Sequence, residues 1–203
     1  MRKKINSYHL CIENREQLIK KDLDIESIYN LLAEKKYCDI CFLPEYNELI
    51  NSISDNKIKD SLILGKIVYC LEYKPYIFLF IGIALERLLN NVAQLYIDNG
   101  WPCFKGLDYE QHIINVPLGK KQSTIISYNL FNDNSANTMI SYELQAITPL
   151  RNFGSHDKYS LFLNMFFSEV YNIDDEIKKS VLLIKKILIA TDALIKNPPK
   201  LTP

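Results

Sequence analysis

Apolar residues return at three- and four-residue steps along most of this chain, the period of a helix that buries one face. Asp24 caps one such segment, with Ile25, Ile28, Leu31 and Leu32 on a single face and Lys35-Lys36 at its closing end. Pro44 suits the first turn of the next, whose stripe is Tyr46, Leu49, Ile50 and Ile53. A third runs from about Lys57 to Tyr73 through Leu62, Ile63, Ile67, Val68 and Leu71, and Pro75 interrupts it. The most regular stripe follows, from Pro75 to Asp98: Phe78, Ile81, Leu85, Leu88, Val92 and Leu95, stopped by Asn99-Gly100. Its first half is apolar nearly all round until Glu86, as in a central helix.

The periodicity then lapses. Residues 99–135 read as a loop-like insertion, punctuated by Trp101-Pro102, Gly106, Pro117-Leu118-Gly119 and Asn132-Asp133-Asn134. Within it a short helix is expected from Tyr109 to Ile114 and a strand-like run from Thr124 to Leu130. A connection this long inside a compact domain is often functional or mobile. Helical spacing resumes from Asn137 to Ile147. Thr148-Pro149 then reads as an N-cap and first-turn proline starting a new element that holds Arg151, weakened or ended by Gly154. A helix from Lys158 to Tyr171 buries Leu161, Met165 and Phe166. Asp174-Asp175-Glu176 open the last helix, Ile177 to Lys196, and Asn197-Pro198-Pro199 end it, with acid and lysine at the dipole ends they complement. The expectation is an all-α helical bundle. An N-terminal helical extension (1–60) packs on a core domain (61–197) that carries the 99–135 insertion, and 198–203 form a tail.

Composition agrees with that class. At 203 residues and 48% hydrophobic the chain has ample material for one core, and six Gly are few for a turn-rich β fold. Its 24 basic and 24 acidic residues cancel. That excludes the strongly basic footprint of a protein that coats nucleic acid, so any such ligand must meet a local patch or an assembly cleft. The polar start after Met1-Arg2-Lys3-Lys4 and the odd count of five Cys fit a cytoplasmic protein with free thiols. The longest apolar run, Tyr76 to Leu85, is about half of the roughly twenty residues a membrane span needs, so a buried helix and no membrane association are expected.

The candidate chemistry lies in Arg151-Asn152-Phe153-Gly154-Ser155-His156. A guanidinium neutralises phosphate with a planar fork of donors and an imidazole moves protons near neutral pH; held together with an amide they are a workable kit for cleaving a phosphodiester. With four Arg and three His in the chain, this spacing arises in roughly 6% of shuffled sequences, so context must carry the argument. In helical geometry Asn152 and His156 share a face, while Arg151 is about 140° from His156 around the axis.

In this run the chain resembles the HEPN superfamily, all-α domains of prokaryotic toxins, phage-defence proteins and CRISPR-associated ribonucleases. Arg151-Asn152-x-x-x-His156 matches its Arg-(x)4–6-His signature, including the polar residue that often follows the Arg. A long apolar helix bearing Glu86 comes first, then the motif near a helix junction, then a long closing helix, over roughly residues 60–196. The resemblance implies a metal-independent endoribonuclease without cofactors, active as a homodimer that brings two motifs into one cleft. By the same resemblance His156 is the general base or acid for attack by the ribose 2′-hydroxyl, and Arg151 stabilises charge on the phosphorane-like transition state. Asn152 orients His156 or the phosphate, and Glu86 is a supporting polar group. RNA is then the substrate, since DNA lacks the nucleophile. A toxin or abortive-infection role, with an antitoxin or defence-system protein as partner, follows from the same likeness.

Two other classes compete. One is a non-catalytic HEPN-like module that dimerises or docks a partner such as a nucleotidyltransferase-type antitoxin. The other is a small-molecule binder with the 99–135 insertion as a lid. The remaining candidates read as structural. Cys38-x-x-Cys41 has no second pair to complete a zinc site, with Cys11, Cys70 and Cys103 scattered singly. His9 and His112 lack partner motifs. Glu86-Arg87 reads as a solvent-facing helix pair, Tyr69, Tyr73, Tyr76, Phe78 and Phe80 as core, and Lys120-Lys121 as a solvated turn.

Overall fold

A computed structural model describes residues 43–70, 76–102, 113–155 and 172–200, apart from the side chains at 70 and 152–155. The helices expected after Asp24 and from Lys158 to Tyr171, most of the one expected from Tyr109 to Ile114, all three histidines and Cys11, Cys38, Cys41 and Cys103 lie outside the described residues. The described residues form six helices and no strand: α1 (Pro44–Ser52), α2 (Asn56–Cys70), α3 (Ile77–Asp98), α4 (Leu118–Ser127), α5 (Asn134–Ser155) and α6 (Ile173–Lys196).

Helix α3 is the axis of the bundle. Ile77, Phe78, Ile81, Ala84, Leu85, Leu88, Leu89, Val92, Ala93 and Tyr96 are all buried, against α2 on one side and α5 and α6 on others. By length and composition alone α3 is apolar enough to cross a bilayer, yet 56% of its apolar window is buried within the fold. It ends where expected, Gly100 taking φ +59° just after Asn99, a conformation that costs glycine nothing. Beyond it Trp101 meets Tyr96 edge-on at 5.3 Å, and the Tyr96 hydroxyl donates to the Leu130 carbonyl at 2.9 Å.

Side-chain caps set several starts. Asp55 Oδ1 accepts the backbone N–H of Lys57 (2.9 Å) and Ile58 (3.3 Å) ahead of α2. Asp133 Oδ1 does the same for Ser135 (2.8 Å) and Ala136 (3.1 Å) ahead of α5, and Asn172 Oδ1 accepts Asp174 N–H at 3.0 Å to open α6. Helices α5 and α6 run antiparallel: Lys186 pairs with Glu143, and Asn132 near the start of α5 donates to the Asn197 carbonyl past the end of α6 at 3.3 Å.

The fold departs from the sequence expectations in two places. Part of the 99–135 insertion is helical, and the strand-like run from Thr124 to Leu130 is instead the end of α4 and the turn after it. Thr124, Ile125 and Ile126 favour strands by β-branching, but Leu118, Lys121 and Ile125 are buried at three- and four-residue spacing, and tertiary burial overrides propensity. Asn129 and Asn132, at φ +48° and +52°, then turn the chain into α5. Nor is there a new element at Thr148-Pro149: α5 runs unbroken through Pro149. An interior proline costs about 3 kcal/mol. Here the buried stripe Ile140, Leu144, Ile147 and Leu150 continues through the proline, and the proline faces solvent. Thr148 is therefore no N-cap; its hydroxyl donates back to the Leu144 carbonyl at 2.8 Å.

Candidate functional site

Three residues of α3 break its apolar pattern at four-residue steps, Gly82, Glu86 and Asn90, and so stack along one face. Each receives a side chain or backbone group from α4 or α5. Arg151, in the next-to-last turn of α5, lays its stem over Gly82. A Cβ added there would stand 2.3 Å from Arg151 Cγ, 3.1 Å from Cβ and 3.3 Å from Cδ. Only a glycine leaves room for the stem to pass.

One turn along, Arg151 Nη2 meets Glu86 Oε1 at 3.2 Å, across 65 positions of sequence. Both side chains are 23% exposed, so the pair sits at the rim of the bundle and solvent reaches it. A pair this exposed adds at most about 1 kcal/mol to stability. Its value lies in fixing the plane of the guanidinium. The same Oε1 also accepts the backbone N–H of Leu118 at 3.0 Å, the first residue of α4. A carboxylate there is favoured by the positive end of the helix dipole.

A further turn on, Asn90 Oδ1 accepts Lys121 Nζ at 2.7 Å. Lys121 is 1% exposed, an uncommon location for an ammonium. Its nitrogen also donates to the carbonyls of Ile113 and Ile114, the latter at 3.4 Å, so three acceptors replace water. Burial lowers its pKa from 10.5 to about 8, against the pull of the nearby Glu86 carboxylate, which raises it. Among the described residues one carboxylate thus stands between two cations, of which only Arg151 is reached by solvent.

Of the residues singled out from sequence, the fold brings together Arg151 and Glu86. Asn152 belongs to the final turns of α5 by its backbone, and its side chain lies outside the described residues, as does His156. Glu86 and Arg87 are not the mutual pair expected. Arg87 turns to α2, where Nη1 donates to Ser61 Oγ at 2.8 Å and to the Lys57 carbonyl. Lys121, expected in a solvated turn, is instead buried within α4, and Asn90 and Gly82 were not singled out from the sequence at all. Its signal was there: Lys121 stands three residues after Leu118 and four before Ile125, on the buried face once 118–127 is helical. Phe78 is core as expected, whereas the Tyr69 hydroxyl donates to Asp174 at 2.6 Å and ties α2 to the start of α6. Among the described residues no three His, Cys, Asp or Glu side chains gather where they could hold a metal ion.

No family model, curated protein or solved structure matches the chain. Among the described residues the structure is an all-α bundle of six helices, an architecture that is not specific to any one family.

Proposed function

We propose that this chain is a HEPN-type endoribonuclease, a cytoplasmic homodimer acting as a toxin or phage-defence effector without metal or cofactor. The observation that carries the reading is the placement of Arg151. It stands near the end of a long helix, half-buried, oriented by Glu86 and open to solvent, with the run to His156 following directly on. In the reaction His156 takes the proton from a ribose 2′-hydroxyl. The 2′-oxygen forms a bond to the adjacent phosphorus and the bond to the 5′-oxygen breaks. The leaving oxygen takes a proton from an imidazolium, which leaves a 2′,3′-cyclic phosphate and a 5′-hydroxyl. Arg151 stabilises charge on the equatorial phosphate oxygens as it builds, and Asn152 orients the imidazole or the phosphate. Pairing two chains doubles the positive charge at the cleft and lets one His accept while the other donates.

Arg151→Ala and His156→Ala each abolish RNA cleavage measured in EDTA, with the helical circular-dichroism signal and the oligomeric state unchanged. Undiminished cleavage by both variants would end the assignment. A non-catalytic module docking a protein partner, an antitoxin or defence-system component, is the second reading. It is favoured by the exposed apolar side chains Tyr142 (74%) on α5 and Ile189 (68%) and Leu182 (54%) on α6. Under that reading expression does not arrest growth, and the two variants behave as wild type.

A further inference from the structure

We infer that Lys121 is a positioning residue for Arg151, acting through the first turn of α4 and Glu86. The inference rests on the ribonuclease reading for what Arg151 does, not for how it is held. Lys121 reaches back from the second turn of α4 to the carbonyls of Ile113 and Ile114, which lie just ahead of that helix, and across to Asn90 on α3. These contacts fold the approach to α4 onto α4 itself and pin both to α3. Held so, the Leu118 N–H meets Glu86 Oε1, the same atom that receives Arg151 Nη2. Glu86 is thereby fixed from two sides, by α4 and by the arginine.

A Leu or Met at position 121 would fill the volume between Leu118 and Ile125 at no desolvation cost. An ammonium there is expensive unless its acceptors are held in place. What it adds over an apolar residue is this directional tie. Among the described residues few charged groups compete for Lys121. On α3, Glu86 acts on it directly, Arg87 is committed to α2, and Asp98 accepts from Gln94. On α5, Glu143 is engaged by Lys186 of α6, and Arg151 shares Glu86. Its neighbour on α4, Lys120, is exposed.

The test reads Arg151 directly. In the 15N-labelled chain its Nε–H resonance is assigned by its absence from Arg151→Lys. Lys121→Met moves that resonance toward the position of a solvent-exposed arginine, Glu86→Gln moves it the same way, and the double variant goes no further than either. Asn90→Ala, which keeps the ammonium but removes its side-chain acceptor, gives a smaller shift in the same direction and carries the test should Lys121→Met fail to fold. Lys120→Met leaves the resonance in place. Cleavage of RNA falls roughly tenfold to a hundredfold in Lys121→Met, the cost of a misplaced catalytic group. An Arg151 resonance at its wild-type position in folded Lys121→Met or Asn90→Ala overturns the inference. A wild-type chain that does not cleave RNA overturns the ribonuclease reading instead, and the resonance still decides the role of Lys121.

Discussion

Lys121 makes stability depend on alkaline pH in a direction opposite to that of a lysine in an ordinary ion pair. Its pKa is about 8 in the folded chain and 10.5 when burial is lost. Below pH 8 both states carry the ammonium and the group adds no slope. Between the two values the folded chain has released the proton while the unfolded chain still holds it, so raising the pH favours the fold. From about pH 7 to about pH 9.5 this linkage stabilises the protein by about 2 kcal/mol, approaching about 3 kcal/mol above both values. The neutral amine keeps two N–H donors for the three oxygens around it, so the contacts to Asn90 and the Ile113–Ile114 turn survive deprotonation. The assay is urea denaturation of wild type and Lys121→Met at both pH values, taking the difference between the two proteins so that other titrating groups cancel. Tyr46, for one, is buried with its pKa pushed up, and it opposes folding increasingly above its ordinary value of 10 in both proteins alike. The wild-type advantage over Lys121→Met, whatever its sign near pH 7, grows by about 2 kcal/mol at the higher pH. A difference that stays flat, or shrinks, refutes the burial of a costly ammonium at this position.

Two further outcomes follow from the packing. Gly82→Ala, which at an open helical site would gain about 1 kcal/mol, instead costs a net of roughly 1–2 kcal/mol, because the added Cβ drives into the Arg151 stem. Under the proposed ribonuclease reading it also lowers RNA cleavage along with stability, and a thermal melt showing stabilisation would contradict the close approach. Asp55→Ala loses about 1 kcal/mol with the cap of α2. Burial raises the Asp55 pKa, but hydrogen bonds from Asn91 and the Ile58 and Lys57 amides hold it below the ordinary 3.8. Its stabilisation is thus complete above that value and is lost as the pH falls through the folded one, so the wild-type advantage in denaturation disappears in strong acid.

The unequal legibility of this chain has physical causes. Helices α1, α3 and α6 stood out because each buries a continuous apolar stripe between strong stops: Pro44 at one start, Asn99-Gly100 at one end, and acid and lysine at the ends of α6. Helix α4 was hidden because its buried face includes a lysine and its second half is β-branched, so both periodicity and propensity pointed elsewhere. Helix α5 was cut in two at Pro149, where a local penalty of about 3 kcal/mol is outweighed by a buried stripe that local reasoning does not sum. The site behaves the same way. Arg151 and Glu86 are conspicuous as charges among apolar residues, but the glycine that lets the stem pass and the buried ammonium that ties α4 to α3 acquire meaning only through neighbours 30 to 70 positions away. In a bundle built from apolar stripes, the polar residues that interrupt one stripe at a helical step mark where another element docks. Gly82, Glu86 and Asn90 on α3 are such a series, and what they receive is Arg151, the first turn of α4 and Lys121.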